Sequence, residues 1–303
     1  VCDIVHGSGP IALVSAIDPG YCAHLAVLLR SIAKTNRATS IVMHVVHSNV
    51  TADLQRRVAD AAPTIPIVWH GIVDHDGVRF ETLSHVSRAT YYRLRIDEIL
   101  GHEIGRVLYL DADIVVNGDL RPLWATDLGD MVCGAVVDPL VDADVFATTH
   151  GLPVGGGYFN AGVLLMDLRR MRCERFLARA LTLLADSGSR FRFADQDVLN
   201  MVLWQKWKTL DPTWNFQRVF LWDDDAFWRR MAGRPGRQPV ILHYTQDLKP
   251  WQRTDWHPFA WLYVKHLART RFRSEIFRAN RLTPLLRLRW WLRFEYKTRT
   301  AFR

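Results

Sequence analysis

The apolar positions of the chain switch between two periods. IALVSAI (11–17), IVMHVVH (41–47) and IPIVWH (65–70) are apolar runs of strand length, separated by segments with helical spacing. After the first run, Asp18-Pro19-Gly20 makes a turn, and Ala23, Ala26, Val27, Leu29, Ile32 and Ala33 recur at helical spacing. Thr51 is placed to cap a helix over TADLQRRVADAA, and Ser84 or Ser87 to cap another over HVSRATYYRLRIDEIL. RVLYL (106–110), MVCGAVVD (131–138), VLLMDL (163–168) and PVILHY (239–244) read as further strands, MRCERFLARALTLLAD and DQDVLNMVLWQ as helices. Residues 206–237 mix Trp, Asp, Arg, Pro and Gly without a period and are expected to form loops near a site. Strands alternating with helices predict an α/β fold with a largely parallel sheet that binds ligands at the carboxyl ends of its strands.

One strand end carries chemistry. VLYLDADIVV (107–116) puts Asp111 and Asp113 inside an otherwise apolar run. Charges entering a core need a partner, a metal or a solvated edge. Taken alone, the pair reads most simply as a solvated strand end with an arginine partner. A sharper reading is a hard divalent cation, Mg²⁺ or Mn²⁺, held by carboxylate oxygens together with a diphosphate. A third is a haloacid-dehalogenase-type phosphatase, with Lys206 or Lys208 and Asp223-Asp224-Asp225 as its later motifs. Two features oppose the phosphatase: about a hundred residues of α/β pattern precede the pair, and the later acidic run sits in a Trp-rich segment.

Charge changes the picture at one end only. Twelve Lys/Arg face two Glu from Lys265 onward, a net +10, so residues 1–264 carry −2 of the chain's +8. That distribution argues against a uniformly basic nucleic-acid binder. Cys2, Cys22, Cys133 and Cys173 are far apart and form no C-x-x-C, which predicts reduced structural thiols and a cytosolic protein. The first ten residues have neither the charged nor the long apolar region of a signal peptide, and no stretch of 18 apolar residues occurs.

Seven blocks in order settle the readings of the aspartates. AIDPGY (16–21), SRATYYRLRI (87–96), VLYLDADIVV (107–116), YFNAGVLLMDL (158–168), DQDVLN (195–200), PTWNF (212–216) and HYTQDLKPW (243–251) together resemble glycosyltransferase family 8. These are retaining transferases that include bacterial lipooligosaccharide galactosyltransferases and glycogenin. The resemblance implies a GT-A fold over residues 1–264 and transfer of a hexose from UDP-galactose or UDP-glucose to a glycan or glycolipid acceptor; the alternatives are a protein or soluble glucan acceptor, or a catalytically silent UDP-sugar-binding protein. It implies that Asp18 binds the uracil, Tyr21 stacks on it, and Asp111, Asp113 and His243 hold Mn²⁺ or Mg²⁺. Arg93, Asn160, Ala161 and Asp195 are expected on the donor sugar or diphosphate, Lys249 on the leaving diphosphate, and Gln196 on the β-face of the anomeric carbon. The family usually has a glycine where this chain has Gln246, which predicts a changed diphosphate contact. Gly155-Gly156-Gly157 is read as a run that lets backbone approach a ligand.

An amide at Gln196 is a poor nucleophile, and Asp195, the nearest carboxylate in sequence, is assigned to hydroxyl binding by the resemblance. The expected mechanism is therefore a same-face displacement through an oxocarbenium-like state. Acceptor contacts are expected from residues 71–86 and 206–237. The segment 265–303 interleaves Arg287, Arg289 and Arg293 with Leu286, Leu288, Trp290, Trp291 and Leu292, a composition suited to an anionic membrane surface. The expected location is thus cytoplasmic, peripheral on the inner face of the membrane. The competing expectation for this segment is a helix docked on the body.

Overall fold

The computed structural model describes residues 9–72, 91–187, 191, 193, 195–221, 239–247, 249–253, 257 and 259–301. The chain begins as the apolar runs predict. Strand β1 (Ile11–Ile17) pairs in parallel with β2 (Ile41–His47), and β2 with β3 (Ile67–Gly71). The crossovers are helices α1 (Cys22–Thr35) and α2 (Ala52–Ala59), the latter capped by Thr51, whose Oγ1 accepts the Leu54 N–H. The runs are continuous because both faces of the sheet are covered: Leu13 and Ile17 pack on one side, Val14 on the other.

The next segment departs from the single long helix expected over HVSRATYYRLRIDEIL. Its capping serines, Ser84 and Ser87, lie outside the described residues. The described part is a 3-10 turn at Arg93–Arg95 followed by the short helix α3 (Ile96–Ile99). Strand β4 (Arg106–Leu110) then lies parallel to β1. VLYLDADIVV is not one strand: after Leu110 the chain turns at Ala112-Asp113 and enters β5 (Ile114–Val116), which belongs to a second sheet.

Beyond α4 (Arg121–Trp124), β6 (Cys133–Val137) and α5 (Ala143–His150), the nine-residue β7 (Phe159–Asp167) runs antiparallel to both β4 and β6. It starts four residues earlier than VLLMDL suggests, because FNAG is buried backbone in the ladder. MRCERFLARALTLLAD divides into α6 (Leu168–Cys173) and α7 (Phe176–Ser187), with Arg175 between them at φ +53°. Helix α8 (Asp195–Val202) follows. The 206–237 segment is not all loop: β8 (Trp207–Thr209) extends the main sheet beside β6, and β9 (Phe216–Gln217) joins β10 (Ile241–His243) and β5. The main sheet has the order β3-β2-β1-β4-β7-β6-β8 and the small one β5-β10-β9, a mixed, mostly parallel GT-A arrangement.

Three helices close the chain: α9 (Ala260–Leu267), α10 (Arg273–Ala279) and α11 (Pro284–Ala301). α9 packs on α1 and α11 on α9. Leu282 and Trp290 are buried in the same apolar core as α1 and β5, with Leu286 and Phe294 packed against it. The opposite stripe of α11, Leu285, Leu288, Leu292 and Tyr296, faces solvent.

Candidate active site

The site forms where the two sheets meet. Asp111 and Asp113 flank the turn between β4 and β5, so both carboxylates reach one pocket without lying on a strand. The Asp111 N–H donates to the Gly162 carbonyl at 2.9 Å, and the Tyr109 hydroxyl donates to Asp111 Oδ1 at 2.7 Å. β10 pairs antiparallel with β5 and brings His243 alongside: its Nε2 lies 3.3 Å from Asp113 Oδ1 and 3.7 Å from Asp111 Oδ2. One ligand atom from each of the three lies within 4.8 Å of the others, a donor set of two carboxylates and one imidazole that fits Mn²⁺ or Mg²⁺.

The imidazole is held from behind. His243 Nδ1 is 2.9 Å from Asn215 Oδ1, and Asn215 Nδ2 donates to Asn160 Oδ1 at 2.9 Å. With the amide nitrogen committed to Asn160, its oxygen accepts the Nδ1–H and Nε2 faces the carboxylates. This is how metal-binding histidines are usually oriented. Asn215 is completely buried, and the sequence reading did not single it out within PTWNF. Gly162 was missed too. A Cβ there would stand 2.0 Å from His243 Cε1 and 2.9 Å from Asp111 Oδ2, so only glycine lets β7 pass behind the cluster.

Asp111, Asp113 and Asp195 each face a cation. Lys249 Nζ donates to Asp113 Oδ2 at 2.7 Å and to the Tyr244 carbonyl at 2.8 Å. Burial opposes ionisation of Asp113, but the Lys249 ammonium and the His243 imidazole outweigh it and hold the carboxyl well below the usual range. Arg93 lies over the Tyr109 ring, with its Nη2 3.1 Å from Asp111 Oδ1 and its Nε 2.6 Å from Asp195 Oδ2; the Asp195 contact lacks hydrogen-bond alignment. Its Nη1 donates to the Ala161 carbonyl at 2.9 Å. Asp195 answers differently from Asp113: burial, opposed by Arg93 and reinforced by Asp111, pushes its carboxyl up to about 7.

Gln196 uses both ends of its amide. Oε1 accepts the Ala161 N–H at 3.0 Å, while Nε2 donates to Asp138 Oδ2 at 3.1 Å and lies 3.3 Å from the Tyr158 hydroxyl. Asp138 Oδ2 also accepts from Asn160 Nδ2 at 3.2 Å. Asp138 is a buried acid at the end of β6 that the sequence reading passed over as a strand terminus. The start of α8 is pinned by its own polar residues. Asn200 brackets Phe159, accepting its N–H at 2.8 Å and donating to its carbonyl at 2.9 Å, and the Tyr158 hydroxyl donates to Asp197. Helix α8 and strand β7 therefore present Asp195, Gln196, Asn160 and Ala161 as one rigid unit.

Asp18 and Tyr21 lie at the carboxyl end of β1. Asp18 Oδ1 accepts the Gly20 N–H at 2.9 Å and so caps the turn, which also fixes the aspartate in place. Burial and the carboxylates of Asp113, Asp111 and Asp18 push the Tyr21 phenol up. Its ring meets His24 edge-on, and His24 stacks on Trp251 with centroids 3.7 Å apart. The KPW stretch thereby ties Lys249 to the β1 end of the site.

Gln246 has φ +73°, the left-handed region that favours glycine. A backbone requirement thus accompanies the family's glycine at this place, and this chain meets it with an exposed glutamine. Within Gly155-Gly156-Gly157, a Cβ on Gly156 would stand 2.4 Å from Trp204 and one on Gly157 2.7 Å from Trp207, while Gly155 has φ +79°.

Comparison with known proteins follows the same lines. A family model described as Glycosyl transferase family 8 matches residues 12–255. General stress protein A of Bacillus subtilis (strain 168) is 24% identical over 277 residues, 86% of this chain and 94% of that protein. Lipopolysaccharide 1,2-glucosyltransferase of Escherichia coli (strain K12) is 26% identical over 250 residues, 80% of this chain and 73% of that protein. The crystal structure of galactosyltransferase LgtC in complex with donor and acceptor sugar analogs matches with TM-score 0.75 at 27% identity, covering 89% of this chain and 100% of that one.

Proposed function

The chain belongs to glycosyl transferase family 8 and is a hexosyltransferase; from that premise we propose that it moves galactose or glucose from a UDP-sugar, with retention, to a lipopolysaccharide-type glycan. The observation that carries this reading is the convergence of Asp111, Asp113 and His243 on one point between the nucleotide end of β1 and Lys249. Asp18 and Tyr21 bind uracil, and Asp111, Asp113 and His243 hold Mn²⁺ or Mg²⁺. When bound, the cation neutralises charge developing on the leaving diphosphate.

The residues of the chain divide the remaining work. Lys249 sits on Asp113 Oδ2, one of the candidate ligand oxygens, within reach of a diphosphate held there. Arg93 fixes Asp111 and Asp195 while its Nη1 steadies the Ala161 carbonyl. Gln196 is held at both amide ends, which suits orientation and stabilisation of an oxocarbenium-like state better than attack on carbon. Asp138 positions that amide. A same-face displacement, with the leaving phosphate taking the acceptor's proton, asks for no protein nucleophile.

The tail supports a membrane-peripheral location on the cytoplasmic face. α11 buries Trp290 and exposes Leu285, Leu288, Trp291, Leu292 and Tyr296, flanked by Arg289 and Arg293. Among the described residues no helix is long and apolar enough to cross a membrane. Exposed apolar residues with flanking arginines match an anionic lipid surface.

A panel of UDP-sugars with Mn²⁺, read by UDP release and product NMR, tests the reading. UDP-galactose or UDP-glucose should be turned over in a cation-dependent way with retained anomeric configuration. Full turnover in excess EDTA, or an inverted product, would overturn it.

A further inference from the structure

A second charged region lies at the far end of α1. That helix has 14 residues, so its last turn is roughly 20 Å from Tyr21 and the donor end of the sheet. There the carboxyl ends of α1 and α9 and the turn after α2 enclose a cavity of about 580 Å³. Arg30, Lys34, Arg37, Lys265 and Arg269 line it beside His266, and no carboxylate does.

One or two cations there need no explanation, since basic residues in the last turn of a helix complement its dipole. Five with no acid are different. None of the five forms an ion pair with a carboxylate among the described residues. Lys34 and Lys265 line the same cavity, and the Lys265 charge, with burial, holds the Lys34 ammonium below its ordinary range. Two ammoniums are donors only, so neither can neutralise the other.

The groove formed by α2 and α10 shows what the chain does with structural cations. Its Arg56, Arg57 and Arg271 each meet a carboxylate, of Asp53, Glu275 and Asp60. In the basic cavity, Arg30 and Arg269 each donate to a backbone carbonyl, of Ala61 and Lys265, without charge neutralisation. His266 is buried, and burial with the surrounding cations pushes its imidazole down to about 3, so it stays neutral and adds no further charge.

We propose that this cavity binds a phosphate-bearing anion of at least two negative charges, a phosphomonoester or diphosphate, at a site separate from the donor site. Guanidinium forks and two ammoniums lining one cavity match the oxygens of such a group, and its charge offsets the Lys34–Lys265 repulsion. The group reaches the cavity either on a lipid headgroup or as a free phosphate compound.

The full chain in EDTA is titrated calorimetrically with inorganic pyrophosphate and, separately, sedimented with phosphatidylcholine vesicles with or without phosphatidic acid. Vesicle experiments use a Leu285→Ser/Leu288→Ser/Leu292→Ser background, so that α11 does not carry the chain to the lipid. The expected result is binding of at least one probe that weakens tenfold or more in Lys34→Gln/Lys265→Gln and is unchanged in Asp113→Asn. Which probe responds identifies the source: pyrophosphate a soluble compound, phosphatidic acid a headgroup. The double variant should melt no lower than the parent in phosphate-free buffer, which separates loss of a site from loss of fold. Absence of binding to both probes, equal affinity in the double variant, or loss in Asp113→Asn would overturn the proposal.

Discussion

The cation cluster and the C-terminal helix both set arginines among large apolar and aromatic side chains, yet they use charge in opposite ways. In the cluster each carboxylate faces a cation: buried Asp113 has Lys249, while buried Asp195 and half-buried Asp111 share Arg93. On α11, Arg289 and Arg293 stand exposed beside Leu288 and Leu292. The contrast follows from solvent. A buried charge without a counter-charge costs several kcal/mol, so the interior fixes a cation beside each carboxylate of the cluster and thereby fixes geometry. A charge in water needs no partner, so a surface can hold basic and apolar residues ready for something outside the chain. Buried pairs define chemistry; exposed mixtures define association.

Substitutions can break this comparison, beginning where the effect is largest. Asp113→Asn should lower cation-dependent transfer on the order of 10³-fold, because a ligand to the charge-neutralising ion is lost. Steady-state UDP release with Mn²⁺ checks it. Arg93→Met leaves buried Asp195 and half-buried Asp111 without their shared cation and should destabilise the fold by about 3 kcal/mol, read by urea unfolding. Asn215→Ala removes the partner of His243 Nδ1 and should weaken Mn²⁺ binding about 10- to 100-fold, seen by calorimetry.

Asp195 supplies a test by pH. Its folded carboxyl lies at about 7, above the unfolded value of about 4. Between those values the native state keeps a proton that the unfolded chain has released, so this group subtracts stability as pH rises through the window. The stability of the parent minus that of Asp195→Asn, from urea curves in EDTA, should fall from pH 4 to pH 7 and level off above. The smallest effect belongs to the surface. Leu285→Ser/Leu288→Ser/Leu292→Ser should change stability by no more than about 0.5 kcal/mol per site while reducing sedimentation with anionic vesicles. Trp290→Ala, on the docked face of the same helix, should cost about 3 kcal/mol, so deletion of 281–303 would confound lost binding with lost core.

What could be read from the sequence follows the same division. β1, β2 and β4 were legible because their apolar runs are covered on both faces and bounded by turn residues. The triad Asp111, Asp113 and His243 was legible only through the ordered blocks, since a short acidic pair fits several chemistries. The end of β4 at Leu110 was read, but β5 as a strand of a second sheet was not, because apolar residues flank the turn on both sides and periodicity cannot mark where a run changes sheet. Asn215 and Asp138 act through partners 28 and 58 residues away, a relation no local pattern expresses. Their signal was modest: a polar residue inside or ending an apolar stretch, Asn in PTWNF and Asp after GAVV. β8 and β9 were hidden because strands of three and two residues are too short to show a period.

Gly162 bears on how this catalyst can diversify. With main chain within a methyl group's width of His243 and Asp111, one wall of the ion pocket is set by the path of β7 and not by any side chain. That wall cannot be enlarged by trimming a residue, and filling it with even an alanine would push against the His243 ring and the Asp111 carboxylate. Variants selected for another ion must therefore change the identity of the coordinating groups, whereas those selected for another sugar or acceptor can vary side chains elsewhere without disturbing this wall.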